Sequence, residues 1–129
     1  QAGAIMRAVG KVVWIEDEAL IDTVTAISGS GPAYFFYFME ALEQAAIDEG
    51  LDGETARLLV LETVLGTARL AIETTKSPSE LRAQVTSPGG TTEAAMYVLE
   101  QAGISELLKR AVTAARKRSA DLAISSSTN

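Results

Sequence analysis

The stretch TSPGGTT, residues 86–92, gathers the groups best suited to hold a small ligand. Helix-forming sequence flanks it on both sides, so its threonines fall at or just before a helix start. Amides at such a start lack intrahelical acceptors, and the helix dipole favours negative charge beside them. Gly89 and Gly90 let a ligand approach the backbone with no Cβ in the way. Thr91 and Thr92 add hydroxyls that donate or accept. Together these groups suit a small carboxylate. The same residues also describe an ordinary Pro-Gly-Gly turn followed by a threonine N-cap, and pattern alone leaves both readings standing.

Other chemistry is largely closed off. The 129 residues include no histidine and no cysteine. That removes thiol nucleophiles, disulfides, and His-based acid–base pairs or triads, and nearly excludes a zinc site. Catalysis would have to come from carboxylates, hydroxyls, Lys, Arg, Tyr, backbone amides or a bound cofactor. A second turn-like stretch, SGSGPAY at 28–34, does not match the G-x-G-x-x-G phosphate fingerprint and follows a helical pattern, not a strand. Glu16, Asp17 and Glu18 read as partners of a helix dipole. The run KRAVTAARKR, 109–118, reads as a solvated helix face. A net charge of −6 argues against broad phosphate-backbone binding, so no nucleic-acid partner is expected.

These stretches are positioned by elements that are almost all helical. AGAIMRAV, 2–9, suits a short helix capped by Gly10, and KVVWI, 11–15, is β-branched and aromatic like a strand. One strand cannot make a sheet alone, so its partner lies upstream or on another chain. Helical spacing then covers 19–27, about 33–49 after Pro32, roughly 53–75, and a short piece from Pro78. It resumes at about 92–102 and from Ser105, a candidate N-cap, to about 124. Residues 125–129 form a polar tail expected to be disordered. The expected fold class is all-α, with domain bounds of 16–124.

Two helices are apolar over most of their circumference. Residues 33–47 include Tyr34, Phe35, Phe36, Tyr37, Phe38, Met39 and Leu42; residues 58–72 include Leu58, Leu59, Val60, Leu61, Val64, Leu65, Leu70 and Ile72. Such helices need burial on all sides, and a domain this small has little room for two of them. A second copy of the chain solves this, which predicts an intertwined homodimer. Gly66, in mid-helix, fits a close helix crossing. A larger monomeric core is the competing reading. No apolar run reaches the roughly 18 residues needed to span a bilayer, and no leader is visible. No membrane association and a cytoplasmic location are therefore expected.

Taken together, DTVTAISGSGPAYFF and, about fifty residues on, SPSELRAQVTSPGGTTEAA closely resemble the C-terminal domain of pyrroline-5-carboxylate reductases. The resemblance covers about residues 11–124. It implies a helical domain that interlocks with a second subunit, often in pentamers of dimers. It implies reduction of 1-pyrroline-5-carboxylate to L-proline with NADPH or NADH, the last step of proline synthesis. Residues 1–15 then look like the last helix and strand of a Rossmann domain, and the sequence like a C-terminal fragment, not active alone.

By the same resemblance the substrate carboxylate is held by amides around Gly90, Thr91 and Thr92, with Ser87 as a further contact. Thr92, the candidate catalytic residue, matches the position whose hydroxyl meets the ring nitrogen. Thr91 stands where some relatives carry Ala. Glu18 matches an acidic position near the bound proline, contributed by the partner subunit. Gln84 matches a cofactor-approaching position where many relatives carry Asn. A helical oligomerisation module without a ligand is the alternative function. A small helical half of another dehydrogenase is a third.

Overall fold

A computed structural model describes residues 4–8 and 11–127, with side chains described from Trp14 to Ser125. From Glu18 to Ser127 the structure is helical apart from short connections. The chain divides into two compact units, Gln1–Phe35 with Ile104–Asn129, and Phe36–Gly103.

In the first unit the expected helix over 2–9 is not found. Residues Ala4–Ala8 form a strand, β1, paired antiparallel with β2, Lys11–Ile15. The register runs from Ala4 opposite Ile15 to Ala8 opposite Lys11. A lone strand leaves a row of amides and carbonyls unmet. That demand outweighs the helical leaning of the Ala-containing segment before it. The expected cap at Gly10 lies outside the described residues.

Asp17 accepts a hydrogen bond from the Ala19 amide at 2.9 Å and starts a 3-10 turn, Glu18–Leu20. It passes into α1, Ile21–Val24, and then into a π turn, Thr25–Gly29. Here the Thr25 and Ser28 hydroxyls donate to the Ile21 and Val24 carbonyls at 3.1 and 2.9 Å. Such back-bonding competes with the helical ladder and favours a wider turn. The SGSG stretch is thus not a break but a wound segment leading directly into α2, Gly31–Asp48. Tyr34 of α2 donates to the Ala26 carbonyl at 2.8 Å, across fully buried Ala26. The C-terminal helix α6, Ile104–Ser127, packs on α1 and the π turn, and Ser119 donates to Asp22 at 2.7 Å. Ser105 is therefore the second residue of α6 and not its N-cap. Gly103, at φ +78°, turns the chain just before α6 begins.

The second unit holds most of α2, then α3, Gly53–Glu73, α4, Pro78–Gln84, and α5, Thr91–Gln101. α2 ends in a Schellman arrangement. Gly50, at φ +112°, donates to the Ile47 carbonyl, and Leu51 donates to the Ala46 carbonyl. Asp52 caps α3 by accepting from the Thr55 amide and hydroxyl, both at 2.9 Å. Ser77 and Glu80 form a reciprocal capping box on α4 at 3.1 and 2.9 Å, with Pro78 in the first turn.

The backbone and hydroxyl bonds from Thr55 hold the Asp52 carboxyl below the usual carboxylate range, and those from Ser77 do the same for Glu80. A carboxyl depressed on folding adds stability above its unfolded pKa and loses it as pH falls through the folded one. Thermal stability should therefore fall as pH drops below about 4. Asp52→Asn with Glu80→Gln should flatten that fall in a pH series of melting curves. Superimposable curves would leave these caps without a share in it.

What these helices bury within one chain is little. Ala26, Ala56 and Val60 are the buried hydrophobic residues among those described, and no large side chain is fully enclosed. The helices of the second unit touch one another sparsely. Phe35, Phe36, Tyr37 and Phe38 are 54–74% exposed, and Leu58 and Ile72 are 60% and 81% exposed. Beyond the backbone of its own helix, no described atom lies within 4 Å of a Cβ built on Gly66, so the expected close crossing is not made among the described residues of one chain. Among the described residues no helix is long and apolar enough to cross a membrane.

Candidate functional site

The site forms at the elbow between α4 and α5, inside the second unit. α4 ends at Gln84, whose side chain is exposed. The Val85 and Thr86 amides close the helix on the Arg82 and Ala83 carbonyls, and the half-buried Thr86 hydroxyl donates to the Arg82 carbonyl at 2.6 Å. Arg82 also meets Glu100 of α5 at 3.3 Å, tying the two helices together. Both partners are more than half exposed, so the pair adds little to stability.

Residues 87–90 make a tight turn, in which the Gly90 amide donates to the Ser87 carbonyl at 3.0 Å. Pro88 takes the second position, suited to its fixed φ. Gly89 takes the third at φ +72°, a conformation that costs a side chain dearly. A Cβ on Gly90 would meet the Ser87 carbonyl oxygen at 3.1 Å. The turn's left-handed third position thus calls for glycine at 89, and the space at 90 is tight for any side chain.

Gly90 is the N-cap of α5, extended at φ −89° and ψ −177°, and has no side chain to cap with. Thr91 and Thr92 are the first two helical residues; Thr91 is exposed and Thr92 half-buried. The amides of Thr91, Thr92 and Glu93 meet no acceptor among the described residues. Neither do the hydroxyls of Ser87, Thr91 and Thr92. The helix start is open, with three amides and three hydroxyls unengaged. That arrangement suits an anion with two or more acceptor oxygens. The Gly90 amide differs from the expectation, since it is already engaged by Ser87 within the turn.

Glu93 was not among the residues singled out from sequence. Its carboxylate reaches back and accepts from the Gly89 amide at 2.8 Å. The available signal is an acidic residue three places after the N-cap glycine, the pattern of a capping box with its first half missing. Glu18 lies in the first unit, exposed, in the turn capped by Asp17. The structure brings Gln84, Ser87, Gly90, Thr91 and Thr92 into one elbow; Glu18 does not share that unit.

The second unit carries two clefts. One of about 210 Å³ lies between α4 and α5, lined by Ser79, Arg82, Ala83, Thr86, Met96 and Glu100. The other, about 320 Å³, is formed by α2 and α3 around Leu42, Leu51, Leu59 and Val60. Its walls are mostly apolar, with Glu49 and Thr63 as the polar residues among its lining.

The family model for pyrroline-5-carboxylate reductase dimerisation matches residues 18–122. The chain belongs to this family. A pyrroline-5-carboxylate reductase of Pseudomonas aeruginosa is 51% identical over 123 residues, which are 95% of this chain and 45% of that protein. The solved structure of a pyrroline-5-carboxylate reductase from Coxiella burnetii overlays with a TM-score of 0.83 at 53% identity, covering 85% of this chain and 41% of that one. A pyrroline carboxylate reductase of Plasmodium falciparum, solved with NADP bound, overlays at 0.77 and 36% identity, covering 80% and 41%. The chain therefore spans somewhat under half the length of the relatives it matches, and the matched part carries the dimerisation domain.

Proposed function

We propose that this chain is the dimerising and substrate-holding part of a pyrroline-5-carboxylate reductase. The whole enzyme reduces 1-pyrroline-5-carboxylate to L-proline with NADPH or NADH, in the cytoplasm, as a homodimer or a pentamer of dimers. The observation that carries the reading is the open start of α5, where the Thr91, Thr92 and Glu93 amides have no acceptor among the described residues. The relatives' shared name supplies the acid that such a start would hold.

In this reading the substrate carboxylate lies against those amides, with the Ser87 hydroxyl beside it. Fixing the carboxylate sets where the ring sits. The Thr92 hydroxyl then meets the ring nitrogen and orients it. Glu18 of a second subunit sets a negative charge near the nitrogen and favours its protonated form. Such a site needs no strong base, which accords with a chain lacking histidine and cysteine.

The described residues fit a dinucleotide only in part. Gln84 is an exposed amide at the end of α4, suited to touch a nicotinamide. SGSGP is wound into helical turns and offers no phosphate cradle. When bound, the nucleotide supplies the hydride; this chain's residues orient its acceptor.

Titration of the purified chain with L-proline tests the reading. Measurable heat, with slowed exchange of the amides of 91–93, is the expected result. No heat and no protection would favour an oligomerisation module without a ligand.

A further inference from the structure

We infer that Glu93 is a positioning residue of this site, holding the turn whose far side presents the open amides. The inference rests on the substrate reading above. Helices α3 and α4 begin conventionally. Asp52 and Ser77 cap them, and each cap takes the amide three residues on, that of Thr55 or Glu80. A side-chain cap thus consumes an N-terminal donor.

α5 begins otherwise. Its N-cap is Gly90, so no side chain claims the Thr92 or Glu93 amide. Glu93 keeps only the returning half of a capping box, and its carboxylate takes the Gly89 amide at 2.8 Å. Of the five successive amides from 89 to 93, the first two are used inward, on Glu93 and on Ser87. The next three meet no acceptor among the described residues.

Order is needed here because the turn is built from two glycines, which have more backbone freedom to lose than any other residue. The Ser87–Gly90 bond closes the turn, and the Glu93–Gly89 bond fixes it to the helix. A preordered turn holds its ligand more tightly because less ordering remains to be done on binding. Glu93 therefore supplies the order of a capped helix start without occupying the donors that a usual cap would take.

The test compares Glu93→Gln with Glu93→Ala in the full chain. Glutamine retains an acceptor oxygen at the same reach; alanine has none. Two quantities are read: the dissociation constant for L-proline by calorimetry, and exchange of the Gly89 amide by NMR. Glu93→Gln should bind within about threefold of the unaltered chain and keep Gly89 slow to exchange. Glu93→Ala should bind about fivefold more weakly than Glu93→Gln, with Gly89 exchanging fast.

Equal affinity in the two variants overturns the inference, as does a Gly89 amide unaffected by Glu93→Ala. Failure of the unaltered chain to bind proline would instead overturn the substrate reading. Gly89 exchange would then still decide whether Glu93 holds the turn.

Discussion

Phe36→Asp is expected to leave the chain unable to dimerise. Phe36 is 67% exposed within one chain and is one of four exposed aromatics, Phe35, Phe36, Tyr37 and Phe38, that together face every direction around α2. Successive helical residues are about 100° apart, so a second subunit wrapping this helix must cover most of the four. Burying a phenylalanine contributes about 1.5–3 kcal/mol. Burying an unpaired carboxylate in its place costs about 3–5 kcal/mol. The dimer constant should weaken at least a hundredfold, read by light scattering across a dilution series. Helical signal should fall with it, because so little of the second unit is buried by its own chain. A Phe36→Asp chain that stays dimeric with an unchanged melting curve would show that α2 is not covered by a partner.

Thr91→Pro should abolish most substrate affinity while leaving the fold intact. Thr91 is the first residue of α5, the position where proline is best tolerated. The residue before a proline must be extended, and Gly90 already is, at φ −89° and ψ −177°. The substitution therefore deletes one amide donor and strains little else. A hydrogen bond to a charged group contributes about 1.5–3 kcal/mol. L-Proline should bind roughly ten- to a hundredfold more weakly by calorimetry, at an unchanged melting temperature. Thr91→Ala, which keeps the amide, should bind nearly as well as the unaltered chain. Should Thr91→Pro bind equally well, the α5 start does not hold the carboxylate.

The sequence exposed much of this elbow because its signals are local. Pro88 and Gly89 stand at the two positions of a tight turn that admit them best, and Ser77 with Pro78 and Glu80 spells out a capping box. Helix existence from 31 onward was likewise legible from spacing and glycine stops. The strand at 4–8 was not, because Ile5 and Met6 amid alanines suit either state and pairing with 11–15 decided between them. The π turn was hidden for a related reason. Ser28 and Gly29 read as an interruption until the hydroxyl bonds of Thr25 and Ser28 are placed. Glu93 escaped notice because an acidic residue in a first turn ordinarily answers only the dipole. Its reach back to Gly89 depends on a turn conformation that the letters do not print.

The scarcity of enclosed side chains in either unit bears on how the molecule comes into being. A chain whose buried hydrophobic residues, among those described, are Ala26, Ala56 and Val60 has little to gain by maturing in isolation. Its last stage of assembly then becomes a bimolecular event. Renaturation should accelerate with the amount of chain present, and strands already joined should trade places only as slowly as their helices come undone.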